Sequence, residues 1–360
     1  MNKQQRPEKR GSANVAQRGE FDAIIDVRSP AEFALDHIPG AINCPALDDA
    51  QRAEIGTLYV QVSPFEAKKR GAAFVARNIA EQLLAHFQDQ PKSWRPLIYC
   101  WRGGQRSGAF VTIFRQIGWD ACQLEGGYKT WRHFVVAELK TLPAKLDFRI
   151  LCGPTGSGKT RLLTALAAQG AQVLDLEGLA AHRGSVLGAL PGQPQPSQKR
   201  FESSLYHALQ CFDPGRPIFA EAESRKIGLL NIPTDLLERL RGSPCIALET
   251  TDEARVQGLV EDYQLIAAKP ELLNKKLSGL LELVGKARLS QWQQYIAAAD
   301  WPALAADLLV QHYDPLYRRS QDLNYPGYRQ APHYPIDNLG PASLSRLAQT
   351  LIENASHAPA

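Results

Sequence analysis

The sequence predicts an α/β protein of two strand-and-helix systems, each a parallel sheet with flanking helices, the second followed by a helical C-terminal region. Three observations carry this reading. Leu97, Ile98 and Tyr99 run into a loop rich in glycine and arginine, and apolar residues at helical spacing follow over 108–117. The same order of apolar run, glycine-rich loop and helical spacing recurs at 148–152, 153–160 and 161–169. Between the two systems, residues 141–147 form a short mixed stretch that suits a linker.

At 360 residues the chain can bury two cores, and 44% hydrophobic with 22% charged residues is ordinary for a globular protein. Residues 1–19 read as a polar, basic tail without the apolar core of a secretory signal, and no run approaches the roughly 18 apolar residues of a membrane span. A cytoplasmic protein with no membrane partner is expected. Cys44, Cys100, Cys122, Cys152, Cys211 and Cys245 are widely spaced, so reduced thiols and no structural metal are expected. A net charge of +4 permits an RNA partner without requiring one.

The elements follow in order. Residues 22–27 read as a strand, and Ser29, Pro30 and Glu32 open a helix as cap, first-turn proline and first-turn acid. His37 precedes a Pro39-Gly40 turn and reads as structural. Helical spacing over 79–87, a strand at 97–99 and another at 121–124 complete a first domain over 20–140. Trp119 and Trp131 read as packing residues, and Trp101 can also wall a substrate pocket.

After the linker, a domain over 148–250 contains strands at 148–152, 172–176, 216–222 and 244–249, with the helix 161–169 closed by Gly170. Pro191, Pro194 and Pro196 make 190–197 a loop suited to act as a lid. Residues 251–360 read as a helical region packed on that domain. Lys275, Lys276, Tyr313, Tyr317, Arg318, Arg319 and Tyr328 read either as a solvated face or as RNA contacts.

Two loops carry the chemistry. Cys100 is followed by Trp101, Arg102, Gly103, Gly104, Gln105 and Arg106, a turn whose backbone N–H groups and two guanidinium groups would lower the thiol pKa. Gly153-Pro154-Thr155-Gly156-Ser157-Gly158-Lys159-Thr160 is a complete phosphate-binding loop, Gly-x4-Gly-Lys-Thr, at a strand-to-helix junction. Its glycines let the backbone wrap a diphosphate, Lys159 supplies charge, and Thr160 is able to hold Mg. Asp175 and Glu177 stand at the end of the next strand, where open α/β sheets bind ligands. Glu221 and Glu223 only approximate the acid that a nucleotide hydrolase places at the following strand end.

Asp26-Val27-Arg28-Ser29-Pro30-Ala31-Glu32-Phe33, His37 to Asn43, the Cys100 loop and Glu125-Gly126-Gly127-Tyr128 together resemble a rhodanese domain. One departure is that Arg106 follows Cys100 after five residues, a loop one residue longer than in common rhodaneses and similar to the Cys-x5-Arg loop of phosphatases. Tyr99 stands where such phosphatases usually have His.

A rhodanese-like domain followed by a P-loop NTPase-like domain that carries 175–180, His182-Arg183-Gly184-Ser185, Glu223-Ser224-Arg225-Lys226-Ile227-Gly228 and Tyr313-Asp314-Pro315-Leu316-Tyr317 resembles the tRNA 2-selenouridine synthases. The resemblance implies replacement of sulfur by selenium at C2 of wobble 2-thiouridine in tRNA. The sulfur is geranylated from geranyl diphosphate, and selenium then enters from selenophosphate. It also implies Cys100 as the group that handles selenium and Gly153, Thr155, Gly156, Ser157, Gly158, Lys159 and Thr160 as the diphosphate cradle. Asp175, Glu177, His182, Arg183, Glu223 and Arg225 would be supporting residues. An ATP-dependent tRNA sulfurtransferase, a Cys-x5-Arg phosphatase and a non-catalytic persulfide carrier remain as alternatives.

Overall fold

The computed structural model describes residues 11–185, 187–189 and 192–357. The chain divides into two compact units, Met1–Glu138 with Glu202–Tyr206, and Leu139–Phe201 with His207–Ala360.

The first unit holds a five-stranded sheet, with β1 Ser12–Ala13, β2 Ala23–Asp26, β3 Ile42–Asn43, β4 Pro96–Tyr99 and β5 Cys122–Leu124. Their order is β1-β5-β4-β2-β3 and every pairing is parallel. The central strand β4 is buried throughout, as its unbroken apolar run requires. Ser29 caps the helix Pro30–Leu35 in a capping box with Glu32, as the sequence indicates. The core joins Ile25, Ile98, Phe110 and Phe114 to Phe87, Trp94 and Trp119. β1 corrects one expectation: it lies inside the stretch read as a tail, and its pairing with β5 makes residues 12–13 part of the sheet. Residues 1–10 of that tail lie outside the described residues.

A buried ion pair lies beneath this sheet. The Arg28 guanidinium donates to both carboxylate oxygens of Asp26 and to the Asp36 carbonyl, with Arg28 1% and Asp26 0% exposed. Arg28 also lies 3.8 Å from the centre of the Tyr128 ring.

The second unit holds β6 Phe148–Cys152, β7 Gln172–Leu174, β8 Ile218–Glu221, β9 Lys226–Ile227, β10 Leu230–Asn231, β11 Cys245–Thr250 and β12 His333–Ile336. β9 and β10 form a small antiparallel pair, and the other five make a parallel sheet in the order β12-β11-β6-β8-β7. The chain leaves β6 toward one side of the sheet and later returns on the other. β6 is therefore the switch point at which ligands bind in open α/β sheets. Residues 251–360 are not wholly helical as expected: β12 extends the sheet, and the helix Pro341–His357 joins Lys159–Ala168 in one core through Leu344, Ala348, Leu162 and Leu166. Among the described residues, no helix is long and apolar enough to cross a membrane.

Breaking a buried charge pair from one side leaves the other charge uncompensated. Asp26→Ala is therefore expected to lower the unfolding free energy by about 3–5 kcal/mol in urea denaturation. A loss under about 1 kcal/mol would show that Arg28 needs no anion there.

Candidate functional site

Cys100 follows β4 and precedes the helix Gln105–Ile117, whose N-cap is Gly104. The first N–H groups of a helix have no partner inside it, and here the sulfur supplies one. The Gly104 N–H and the Ser107 hydroxyl each donate to Cys100 Sγ at 3.2 Å. Gln123 Nε2 donates to Ser107 Oγ at 2.7 Å and holds that hydroxyl in place. Burial pushes the Cys100 thiol up, but the Ser107 hydroxyl, the Ser107 and Gly104 N–H groups and the Arg106 charge outweigh it, and the thiol lies below its usual pKa.

The two arginines divide. Arg106 pairs with Glu32 at 3.0 Å, so its charge reaches the sulfur from within an ion pair. Arg102 is exposed and is not among the groups that lower the thiol pKa. Trp101, 37% exposed, packs against the Tyr128 ring at 5.3 Å, while Cys100 itself is 3% exposed.

The loop is closed by Gly126-Gly127-Tyr128, as the Tyr128 and Lys129 N–H groups donate to the Cys100 and Trp101 carbonyls at 2.8 and 3.0 Å. Gly103 and Gly127 have positive φ, and a Cβ at Gly127 would stand 2.2 Å from the Cys100 carbonyl oxygen. His37 stacks on Phe33 and bonds the Phe33 carbonyl, consistent with the structural role expected.

In the second unit the phosphate loop joins β6 to the helix Lys159–Ala168, with Gly156 and Gly158 at positive φ. Its carbonyls are engaged. Lys159 Nζ donates to the Gly153 and Pro154 carbonyls at 2.7 and 3.3 Å, and Arg255, 4% exposed, donates to the Thr155 carbonyl at 3.0 Å. Arg255 is held by Asp252 and Asp314, and the Gly153 N–H donates to the Tyr317 hydroxyl. Ser157 is fully buried and braces the turn through its carbonyl, which accepts from Thr250 Oγ1.

Three carboxylates face this loop. Thr160 Oγ1 lies 3.3 Å from one oxygen of Glu177 and one of Glu221, and an oxygen from each of Glu177, Glu221 and Glu223 lies within 4.8 Å of the others. Burial raises all three above the usual carboxyl range. For Glu177 the Lys159 charge opposes the rise and Asp175 adds to it. For Glu221 the other two carboxylates add to it, and for Glu223 Glu177 does so against Lys159. Glu221 Oε1 has no hydrogen-bond partner among the described residues. An all-oxygen donor set with an orphaned buried oxygen fits a hard divalent cation held by these carboxylates and Thr160.

The hollow over the loop is lined by Thr155, Gly156, Gly158, Lys159, Thr160, Glu177, Arg183 and Glu223 from the expected set. It adds Glu221, Arg161, Tyr263, Tyr313 and Tyr317. Other expected residues stand apart. Asp175 caps the helix Leu176–Ala180 by accepting from the Gly178 N–H. His182 lines a separate hollow with Gln195 and Gly228, its pKa lowered by burial and by Lys276. Arg225 is exposed and outside the hollow over the loop.

Two further expectations change. Tyr313 and Tyr317 face the phosphate-loop hollow rather than a solvated RNA-facing surface, and the Arg318 side chain lies outside the description. In the loop read as a lid, Leu190 and Pro191 lie outside the described residues, while Gln195 is tied to the Ala180 and Ile227 carbonyls and the Leu229 N–H. Glu221 was legible as the acid at a strand end. Arg255 and Tyr317 are brought in by contacts that no local pattern signals.

The family model for the tRNA 2-selenouridine synthase AAA domain matches residues 146–279, and that for the rhodanese-like domain matches 12–134. The tRNA 2-selenouridine synthase of Nitrosomonas europaea is 37% identical over 67% of this chain and 63% of its own length, so that match spans less than two thirds of the relative. The enzyme of the same description from Cupriavidus pinatubonensis is 32% identical over 83% of this chain and 88% of its own length. That of Shewanella denitrificans is 32% identical over 88% of this chain and 94% of its own length. Among solved structures, a rhodanese-related protein from Thermoplasma volcanium is 20% identical, with a TM-score of 0.23, over 34% of this chain and 91% of that one. With both segments matched in this order and two relatives aligned along most of their length, the chain belongs to the tRNA 2-selenouridine synthase family.

Proposed function

We propose that this chain replaces sulfur by selenium at C2 of wobble 2-thiouridine in tRNA, in two steps that use its two loops. The observation that carries the proposal is the hydrogen bonding of Cys100 Sγ, which stabilises a chalcogen anion at a helix N-terminus in a chain that also carries a diphosphate cradle. Family membership supports the same reading.

In the first step the thiocarbonyl sulfur attacks the first carbon of geranyl diphosphate. The carbon–oxygen bond breaks, diphosphate leaves, and the ring N–H loses its proton. Diphosphate gathers negative charge as it leaves, and the loop N–H groups with Lys159 stabilise that charge. Lys159 must first exchange the Gly153 and Pro154 carbonyls for phosphate oxygens. Mg held by Glu177, Glu221, Glu223 and Thr160 supplies further neutralisation of the diphosphate.

In the second step selenium derived from selenophosphate enters C2 and the geranylated sulfur leaves as a thiol. A thiocarbonyl sulfur leaves poorly until alkylated, which gives the first step its purpose. Cys100 handles the selenophosphate-derived group, with Gly104, Ser107 and Arg106 holding its anion. The basic and aromatic residues Lys275, Lys276, Arg319 and Tyr328 supply contacts to tRNA.

One observation favours a nucleotide reading instead: Glu221 ends β8 and accepts from Thr160, the place of a magnesium-binding acid in nucleotide hydrolases. ATP hydrolysis stimulated by tRNA, without any change of the base on adding geranyl diphosphate, would establish that reading.

Nucleoside mass analysis of tRNA incubated with protein, geranyl diphosphate and selenophosphate, each omitted in turn, tests the two steps. Cys100→Ser is expected to accumulate geranylated tRNA and lose selenation; full selenation by this variant removes Cys100 from the mechanism. Lys159→Ala is expected to cut geranylation by at least about 100-fold, as for loss of a main charge-stabilising donor. Geranylation at the normal rate would give the loop a different role.

The carboxylates set a pH dependence. Their pKa values are raised on folding, so the stability they contribute is full below the ordinary value of 4.5 and is lost as pH rises through the folded values. A divalent cation replaces the lost protons. The rise in Tm on adding Mg²⁺ is therefore expected to grow from about pH 5 to about pH 8 and to vanish in Glu221→Gln. A rise that is equal at both ends, or kept by the variant, places the cation elsewhere.

A further inference from the structure

Beside the phosphate loop the second unit contains an apolar cavity of about 560 Å³, counting its open mouth. Its walls come from four helices and one loop. Leu187, Leu273, Leu304 and Leu308 are each at most 8% exposed, and Trp301 stands among them. Leu259 and Val260 arrive from the helix Asp252–Asp262.

This cavity is continuous with the phosphate hollow: Thr155, Leu259, Tyr263 and Tyr313 line both. At one end of the combined space stand Lys159, Thr160 and the carboxylates, and at the other only hydrocarbon. The two tyrosine hydroxyls at the boundary are already engaged. Tyr263 Oη and Ser185 Oγ lie 3.1 Å apart, and Tyr313 bonds Ser185 and the Leu187 backbone. A nucleoside placed there would bury ring nitrogens, an amine and ribose hydroxyls against leucine and tryptophan with no partners for them. A branched hydrocarbon chain would lose nothing by that burial and gains by leaving water.

We propose that this cavity receives the hydrocarbon tail of the diphosphate donor, and that Ala267 and Ala305 in its wall leave the room the tail requires. Both residues are half-buried and line the cavity, Ala267 from the helix Gln264–Ala267 and Ala305 from Trp301–Leu308. The proposal rests on the reading of 153–160 as a diphosphate site and adds what selects the donor. Charge at the loop anchors any diphosphate, whereas the cavity distinguishes an isoprenoid diphosphate from inorganic pyrophosphate and from ATP. Each buried methylene is worth about fourfold in affinity, so a ten-carbon tail dominates the discrimination.

Calorimetric titration of the full-length chain with geranyl diphosphate, inorganic pyrophosphate and ATP, all with Mg²⁺, tests this. The wild type is expected to bind geranyl diphosphate at least about 100-fold tighter than pyrophosphate and tighter than ATP. Ala305→Trp and Ala267→Phe, on separate helices so that one misfolded variant does not decide the result, should each remove at least about tenfold of that preference. Pyrophosphate affinity should stay within about twofold of wild type. Equal affinity of the wild type for geranyl diphosphate and pyrophosphate, or full preference kept in both filled variants, overturns the tail cavity and leaves the diphosphate loop standing. A wild type that binds neither diphosphate overturns the loop reading itself, and ATP as the tightest ligand overturns both.

Discussion

Both loops answer one constraint: a helix that starts at the end of a central parallel strand presents N–H groups that its own hydrogen-bond ladder cannot use. At the end of β4 a sulfur and a hydroxyl fill that deficit, through Gly104 and Ser107. At the end of β6 the chain instead wraps into a cradle held by Arg255, Tyr317 and Lys159. The same local geometry thus yields a polarised nucleophile in one unit and an anion seat in the other. The difference lies in which residue follows the strand: a thiol for the first, a run of glycines for the second.

Charge balance around the cradle explains its particular composition. Lys159 faces three carboxylates that burial alone would keep neutral, and in this state its ammonium rests on the loop's own carbonyls. Arg255 is neutralised by Asp252 and Asp314, so its positive charge serves to fix the Thr155 carbonyl rather than to attract a ligand. Asp314 lies in the Tyr313-to-Tyr317 motif, and that motif thereby acquires a physical role. Asp314 holds the loop's clamp, and Tyr317 takes the first N–H of the loop.

The parts of the fold that position the sites were readable because they are local. Buried strands announce themselves as apolar runs, and β6 matches its expected bounds, residue for residue. The capping box at Ser29 and Glu32 is readable for the same reason. β12 was not, since His333-Tyr334-Pro335-Ile336 lacks an apolar run and its proline is tolerated only because the strand lies at a sheet edge. The helix Asp49–Gln61 buries none of its residues and so has no apolar stripe to read. Asp175 was readable as an acid at a strand end, but its turn into a helix cap depends on where the helix begins. The apolar cavity could not be seen at all, because its walls are single residues from several helices, each of which reads locally as ordinary core.

The closure of the Cys100 loop bears on how the protein is made. The carbonyls of Cys100 and Trp101 find their donors at Tyr128 and Lys129, and Gly127 must fit against the Cys100 carbonyl before that turn can lock. Those residues leave the ribosome after the nucleophile does. A nascent chain ending short of Gly127 carries the cysteine without the geometry that sharpens it, so the reactive sulfur is armed only once its own domain is nearly whole. Premature oxidation or alkylation of the emerging polypeptide is thereby restrained by the order of synthesis, with no chaperone or protecting group required.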